Sequence, residues 1–159
     1  MADKIGIGYD SHRLVPGRKF MLGGIEIPFE KGLLGHSDGD ALIHAIIDAV
    51  LGAAGEGNIG EHFPDTDPAY KNASSMDLLK KTVLHLSERG FSIETVDSTV
   101  ILEKPKLAPY LPAMKEALSS VIGAPVNIKP KTNEGMGFTG RGEGIAVMAV
   151  CLLKNKKNS

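Results

Sequence analysis

The apolar and polar residues of this chain recur with two periods, one typical of strands and one typical of amphipathic helices. Alternation, or an apolar run ended by Gly or Pro, predicts strands at residues 4–10, 19–22, 25–28, 91–103, 126–132 and 144–153. Helical spacing with capping signals predicts helices at about residues 38–52, 74–89 and 112–122. Residues 55–73 are rich in Gly and Pro, and we expect an irregular loop there. Strands and helices neither alternate strictly nor segregate fully, which favours an α+β fold, a mixed β-sheet with helices packed on one face.

The length and composition indicate one folded domain. A chain of 159 residues with 42% hydrophobic residues can bury a core. We expect residues 1–154 to form a single catalytic domain and residues 155–159 to form a polar C-terminal tail. The single cysteine, Cys151, lies in an apolar run and is expected to be a buried thiol.

The charge and the apolar runs limit the partners and the location of the protein. The net charge of −1 provides no basic excess for binding nucleic acid or a membrane surface. No apolar run approaches the roughly 20 residues of a membrane span, and the first residues contain no apolar signal region. We therefore expect a cytoplasmic protein.

Three side chains suited to metal binding lie on two predicted elements. Asp10 and His12 should project to the same side of the first strand because side chains alternate along a strand. His44 lies on the helix that is apolar around most of its circumference. Two imidazoles and one carboxylate, with one coordination position left open, suit a catalytic zinc ion. The alternative is that each histidine is a solitary residue with its own hydrogen bonds.

Further carboxylates near these histidines could orient the rings. Asp40 and Asp48 are each one turn from His44 on the same helix, and we expect one of them to accept its second N–H. Asp38 could serve His36 in the same way. For Asp38 and Asp40 the alternative is a favourable interaction with the helix N-terminus; Ser37 is expected to cap that helix.

A glycine-rich segment, residues 133–144, precedes the last predicted strand. Glycine lets the backbone approach a ligand closely, and successive N–H groups in such a segment can bind an anion. The alternative is a mobile connection between strands. The segment has no Walker or dinucleotide-binding spacing.

The last predicted strand, residues 144–153, is apolar on both faces. One face of a sheet in a small monomer normally meets solvent. We therefore expect the second face to be buried against other copies of the chain.

Four motifs together resemble the 2-C-methyl-D-erythritol 2,4-cyclodiphosphate synthase family. They are Gly8-Tyr9-Asp10-Ser11-His12-Arg13, Gly35-His36-Ser37-Asp38-Gly39-Asp40 with His44, Gly60-Glu61-His62-Phe63-Pro64-Asp65-Thr66-Asp67, and Gly137-Phe138-Thr139-Gly140-Arg141-Gly142-Glu143-Gly144. The resemblance covers essentially the whole chain, in order. It implies a homotrimer with active sites between subunits. It also implies a reaction in which the 2-phosphate of 4-diphosphocytidyl-2-C-methyl-D-erythritol 2-phosphate attacks the β-phosphorus and expels CMP.

The resemblance also implies two metal ions and a set of site residues. Asp10, His12 and His44 match zinc ligands, one zinc per subunit. Glu134 matches the ligand of a second ion, Mg²⁺ or Mn²⁺, that bridges the substrate diphosphate. His36 and Thr132 match catalytic residues that stabilise the transition state. The residues that match substrate contacts are Asp10, His12, His36, Ser37, Asn58, Ile59, Gly60, Phe63, Pro64, Asp65, Thr66, Asp67, Leu102, Glu103, Lys104, Pro105, Lys106, Leu107, Ala108, Lys131, Thr132, Asn133, Glu134, Phe138 and Arg141.

Two residues depart from the family pattern. Asn58 replaces an Asp that many members carry, and its amide oxygen can still accept a hydrogen bond from a ribose hydroxyl. Met148 replaces a Glu that some members place near the trimer axis, which removes a charge and leaves an apolar axial cavity plausible.

Two other function classes share part of this pattern. A zinc-dependent phosphoesterase acting on a nucleotide-linked substrate could use the same three ligands, with water as the nucleophile. A non-enzymatic nucleotide-binding trimer with a structural zinc would usually need four protein ligands, and the sequence offers three plus a separate Glu134.

Overall fold

A computed structural model describes residues 2–156, and it has the predicted α+β architecture. Residues 157–159 of the predicted tail lie outside the described residues. The strands are Lys4–Pro16 (β1), Phe20–Leu22 (β2), Ile25–Ile27 (β3), Lys31–Leu34 (β4), Phe91–Ile101 (β5), Val126–Lys131 (β6) and Gly144–Asn155 (β7). The helices are Ala41–Ala53 (α1), Ile59–His62 (α2), Ser75–Glu88 (α3), Leu111–Ile122 (α4) and Gly137–Gly140 (α5), with 3₁₀ turns at Pro68–Tyr70 and Ala108–Tyr110.

Five strands form one mixed sheet in the order β4-β1-β7-β5-β6. All neighbours are antiparallel except β5 and β6, which are parallel and connected by a crossover that contains α4. A separate two-stranded ribbon, β2-β3, is the predicted hairpin. Among the described residues, no helix is both long and apolar enough to cross a membrane.

Helix α1 lies at the centre of the core and packs closely against β1. Its apolar residues are almost completely buried. Gly6 and Gly8 of β1 face it, and a Cβ atom on Gly8 would lie 1.8 Å from the carbonyl oxygen of Ala45. Such a separation is impossible, so these two glycines allow the helix to approach the strand. This contact fixes the position of His44 relative to the strand that carries the other two predicted ligands.

The N-cap of α1 is Asp40, and the predicted cap Ser37 lies outside the helix. The Asp40 carboxylate accepts hydrogen bonds from the backbone N–H groups of Ile43 (3.1 Å), Gly23 (3.0 Å) and Gly24 (2.8 Å). It therefore caps the helix and also binds the turn of the β2-β3 hairpin. The sequence showed the cap signals at this helix start but not the contact with a turn 16 residues away.

Other element boundaries also differ from the predictions. Strand β1 continues past residue 10 because its second half pairs with β4. Residues 55–73 are not wholly irregular, since they contain α2 and a 3₁₀ turn. Strand β5 ends at Ile101 rather than at residue 103. Strand β7 reaches Asn155, which pairs with Phe91 and falls within the predicted tail.

The sheet face opposite the helices is apolar and exposed in the single chain. Ile5 and Ile7 of β1 are 81% and 70% exposed, and Tyr9, Met148 and Val150 extend the same surface. Their strand neighbours Gly8, Ala149 and Cys151 are buried toward the helices. The expectation that the last strand is apolar on both faces agrees with this burial pattern.

Candidate metal centre and active site

Asp10, His12 and His44 converge as the sequence predicts. His12 Nε2 lies 2.7 Å from Asp10 Oδ2, and His44 Nδ1 lies 3.1 Å from the same oxygen. The two ring nitrogens are 3.2 Å apart. Among the described residues this is the only group of at least three His, Cys, Asp or Glu side chains whose ligand atoms lie within 4.8 Å of one another.

Asp10 and His12 shift each other's pKa. Burial alone would raise the pKa of Asp10, but the hydrogen bonds and charges of His12 and His44 outweigh it and lower that pKa. Burial would lower the pKa of His12, but its hydrogen bond and charge interaction with Asp10 raise it. The carboxylate therefore stays ionised and is held against the two rings, as a metal ligand set requires.

The remaining ring nitrogen of His12 is fixed by the backbone. His12 Nδ1 lies 2.7 Å from the carbonyl oxygen of Leu34, which can only accept a hydrogen bond. The proton of a neutral His12 is therefore on Nδ1, and the lone pair of Nε2 points into the cluster. Nitrogen and carboxylate donors in this arrangement fit zinc, so the donor chemistry agrees with the predicted ion.

The prediction that Asp40 or Asp48 orients the His44 ring is wrong. His44 Nε2 contacts Ser75 Oγ at 2.7 Å and Ser37 Oγ at 3.1 Å. Asp40 binds backbone N–H groups, and Asp48 accepts the N–H of Ile59 at 2.8 Å. Neither carboxylate meets the ring, because the ring points from α1 toward β1 and the start of α3.

Asp38 does not serve His36 either. The Asp38 carboxylate accepts hydrogen bonds from the hydroxyl and the backbone N–H of Ser75. His36 Nε2 instead lies 3.2 Å from the carbonyl oxygen of Asp67, in the loop after α2. Asp38 is therefore connected to His44 through Ser75, a connection that the sequence prediction missed.

Arg18 is a further residue that the sequence prediction missed. Its guanidinium donates to the backbone carbonyl of Leu33 in β4 and to those of Gly35 and Ser37 in the loop that follows. An Arg at the end of a polar connection gives no sequence signal of this role. The Arg18 side chain therefore fixes the course of the loop beside Asp10, His12 and His44.

A cavity of about 390 Å³ opens beside the cluster. Its lining includes the predicted site residues His12, His36, Ser37, His44, Ile59, Gly60, Phe63 and Asp65, together with Tyr70 and Leu78. Tyr70 was not predicted; its ring packs edge-on against Phe63 with centroids 5.4 Å apart. The cavity brings several of the predicted substrate contacts beside Asp10, His12 and His44.

Helix α2 carries part of the cavity wall. Asn58 is its N-cap, and the side-chain oxygen accepts the N–H of Glu61 at 3.0 Å. Asp48 holds the first N–H of this helix from α1. The predicted loop residues Pro64, Thr66 and Asp67 follow the helix, and Asp67 caps the next 3₁₀ turn through Ala69.

A second group of predicted residues lines a separate pocket of about 110 Å³. Its lining includes Leu102, Glu103, Pro105, Lys106, Leu107, Pro130, Lys131 and Thr132. Lys104 and Ala108 belong to the same connection between β5 and α4. This pocket contains several of the predicted substrate contacts and the predicted catalytic Thr132.

The two groups lie at the same end of the sheet but do not meet within one chain. The register aligns Ser11 of β1 with Ala146, Ile101 and Lys131 of the three following strands. Three strand spacings separate β1 from β6, or about 14 Å. Thr132 and Glu134 follow the end of β6 and are exposed, and Glu134 has a positive φ of 52°. The single chain therefore holds the predicted site residues in two separate groups.

The glycine-rich segment is more regular than expected. It includes the short helix α5, and Asn133 donates its side-chain amide to the carbonyl of Met136 at 2.9 Å. Arg141 forms an exposed ion pair with Glu143, with N–O distances of 3.1 and 3.2 Å. Phe138 lies beside His12 in a third cavity, between the segment and the middle of β1.

Comparison with known proteins identifies a family and relatives of this chain. The sequence model of the YgbB family matches residues 4–154. A 2-C-methyl-D-erythritol 2,4-cyclodiphosphate synthase of Syntrophus aciditrophicus is 56% identical over 158 residues, which cover 98% of this chain and 99% of that protein.

Solved structures agree with the sequence relatives. A structure of 2C-methyl-D-erythritol-2,4-cyclodiphosphate synthase in a CDP-bound form has a TM-score of 0.87 and 38% identity, covering 95% of this chain and 100% of that one. The bifunctional IspDF of Campylobacter jejuni has a TM-score of 0.93 and 41% identity. This chain covers 42% of that longer chain, and the match covers 97% of this chain.

Proposed function

Because this chain belongs to the YgbB family, we propose that it converts 4-diphosphocytidyl-2-C-methyl-D-erythritol 2-phosphate into 2-C-methyl-D-erythritol 2,4-cyclodiphosphate and CMP, in the non-mevalonate isoprenoid pathway. The 2-phosphate oxygen forms a bond to the β-phosphorus. The bond from that phosphorus to the oxygen shared with CMP breaks, and CMP leaves with the electron pair. The nucleophile is already an anion, so the reaction needs alignment and charge neutralisation more than a strong base.

The observation that carries this proposal is the convergence of Asp10, His12 and His44 at the wall of a cavity large enough for a phosphorylated sugar alcohol. These three side chains would hold one zinc ion. When bound, zinc neutralises and orients phosphate oxygens. His36 and Ser37 line the same cavity and can donate hydrogen bonds to the phosphate groups, while Phe63 and Tyr70 provide apolar walls.

Glu134 would hold a second ion, Mg²⁺ or Mn²⁺, which would supply positive charge to the diphosphate of the substrate. A carboxylate is the ligand that such hard cations prefer. The exposure of Glu134 in the single chain leaves its oxygens available. Thr132 precedes it by two residues, and its hydroxyl could donate to a phosphate oxygen, consistent with the proposed role in transition-state stabilisation.

We further infer a homotrimer in which each active site lies between two subunits. Two features support this assembly. The exposed apolar face built around Ile5, Ile7 and Val150 is the kind of surface that a symmetric oligomer buries. Strand β1, which carries Asp10 and His12, and strand β6, which Thr132 follows, are about 14 Å apart within one chain. A neighbouring copy can therefore supply the second half of the site.

The nucleotide part of the substrate is assigned to the pocket after β5. The structure of one relative is a CDP-bound form, which supports a cytidine nucleotide as part of the substrate. In this chain the proposed cytosine contacts run from Leu102 to Ala108, and Asn58 at the start of α2 is proposed to meet the ribose. The phosphate contacts are completed by Lys131, Asn133, Phe138 and Arg141.

The test combines metal analysis with an assay of CMP release. The wild-type protein should contain about one zinc per chain and release CMP in the presence of Mg²⁺. His44→Ala should lower both zinc content and CMP release while the circular dichroism spectrum stays unchanged. His85→Ala is the matched control, because His85 pairs with Glu56 and belongs neither to the group of Asp10, His12 and His44 nor to the lining of the cavity. Full zinc occupancy in His44→Ala would exclude His44 from the ligand set.

A further inference from the structure

The two nitrogens of His44 face different partners, and the position of its proton decides whether it can bind a metal. Nδ1 faces Asp10 and His12, whereas Nε2 faces Ser75 Oγ at 2.7 Å. A neutral imidazole has one proton and one free lone pair. Only the tautomer with the proton on Nε2 directs its lone pair at the cluster.

The hydrogen bonds around Ser75 determine that tautomer. The serine hydroxyl has a single hydrogen, and the Asp38 carboxylate beside it can only accept. The hydroxyl therefore donates to Asp38, and its oxygen is left to accept from His44 Nε2–H. The backbone N–H of Ser75 donates to the other oxygen of Asp38 at 3.0 Å, so the carboxylate holds both donors of this residue.

Burial makes this chain of hydrogen bonds hard to replace with water. Ser75 is 0% exposed and His44 is 8% exposed. Asp38 also accepts the backbone N–H of Asp40 at 3.1 Å, which fixes the carboxylate from its own loop. Ser37 Oγ is a longer, second acceptor for the same His44 proton. Ser75 is the first residue of α3, so its position is set by the start of that helix.

We propose that Ser75 and Asp38 are positioning residues of the metal centre: they keep the His44 proton on Nε2 and thereby the Nδ1 lone pair on the metal. This inference rests on the proposed function insofar as it requires zinc at Asp10, His12 and His44. In this role Ser75, at the start of α3, supports metal binding without contacting the substrate. Outer partners of metal-binding histidines usually change metal affinity by about 10–100-fold when they are removed.

Zinc affinity measures this role without any use of activity. The wild-type protein, Ser75→Ala and Asp38→Asn are titrated with zinc against a chromophoric chelator. Both variants should bind zinc about 10–100-fold more weakly. Asp38→Asn is nearly isosteric and can present an N–H₂ group to Ser75 Oγ, which turns the serine hydroxyl toward His44 Nε2 and disfavours the ligating tautomer.

Ser74→Ala is the matched control. Ser74 is the exposed N-cap of the same helix, with its side chain accepting the N–H of Asp77. Its loss should lower helix stability without changing zinc affinity. At saturating zinc, Ser75→Ala should recover most of its kcat with an unchanged KM, because Ser75 is fully buried and does not line the cavity. A purely structural defect would not be rescued by zinc.

The outcomes separate this inference from the proposed function. Tight zinc binding by the wild-type protein with equal affinity in folded Ser75→Ala or Asp38→Asn would overturn the positioning role alone. Absence of zinc binding by the wild-type protein would overturn the metal centre itself and this inference with it. If Ser75→Ala does not fold, the affinity of Asp38→Asn decides between the two results.

Discussion

Asp40 offers the sharpest test of how the fold holds the site, because one fully buried carboxylate binds three backbone N–H groups. Replacing it with Ala removes the N-cap of α1, which costs about 1 kcal/mol. It also leaves the N–H groups of Gly23 and Gly24 without their acceptor, at about 1–3 kcal/mol each. The sum is about 3–7 kcal/mol before any offset.

One opposing contribution places the expected value near the lower end of that range. Burial raises the pKa of Asp40, although the N–H groups of Gly24 and Ile43 oppose this. The wild-type protein therefore bears a cost for burying the carboxylate that the Ala variant does not. We expect Asp40→Ala to lose about 3 kcal/mol of unfolding free energy. Asp40→Asn should lose less, since its amide oxygen can keep the bonds to Gly23 and Ile43.

Urea denaturation followed by circular dichroism at fixed protein concentration measures this loss. Asp67→Ala is the control, because Asp67 is an exposed cap whose carboxylate accepts the N–H of Ala69 and no hairpin N–H. It should lose at most about 1 kcal/mol. A loss for Asp40→Ala no greater than that of Asp67→Ala would refute the argument that Asp40 joins the hairpin to α1.

Three further predictions concern packing, the lone thiol and the second ion. Gly8→Ala should destabilise the protein by more than about 3 kcal/mol because its Cβ would meet the Ala45 backbone, whereas Gly52→Ala, with its nearest neighbour 3.9 Å away, should not lower Tm. Burial raises the pKa of Cys151 to about 11 from 9.0, so its thiolate fraction at pH 8 is about 100-fold lower than in the unfolded chain. Labelling of this thiol by a thiol reagent should be slow until denaturant is added. Fast labelling of the native protein would contradict this burial. Glu134→Gln should keep zinc and fold but lose most of kcat in the CMP-release assay, because an amide is a poorer ligand for a hard dication; near wild-type turnover at ordinary Mg²⁺ would exclude a second ion at this residue.

Short-range patterns in the sequence predicted much of the fold and the centre of the site. Alternation along β1 correctly placed Asp10 and His12 on one side of the strand. The apolar helix correctly predicted that His44 is buried. The family resemblance and the cyclase activity that it implies are confirmed by the match over residues 4–154 and by relatives named for that activity.

The errors concern contacts between residues far apart in the chain. Helical spacing suggested that Asp40 or Asp48 orients His44, but the ring meets Ser75, 31 residues away. No local pattern marks a serine at a helix start as a partner of a distant histidine. Likewise, no local pattern showed that the Asp40 carboxylate also binds the hairpin turn at Gly23 and Gly24.

The proposal that each active site is shared by two subunits depends on how the chains assemble. A single sequence encodes that assembly only indirectly. The exposed face at Ile7 and Val150 gave an apolar signal that could be read from the sequence. The separation between the metal cluster and Thr132 follows from the strand order β1-β7-β5-β6, and strand order is not evident from periodicity.

The most direct test of the proposed cyclisation is phosphorus NMR of the products formed from 4-diphosphocytidyl-2-C-methyl-D-erythritol 2-phosphate by the zinc-loaded protein with Mg²⁺. The substrate's own 2-phosphate should displace CMP, so the spectrum should show CMP and two coupled phosphorus signals of a cyclic diphosphate in equal amounts. A hydrolase would instead give CMP and an open-chain bisphosphate with two uncoupled phosphomonoester signals. That second spectrum would contradict the cyclase and assign the metal centre to a phosphoesterase.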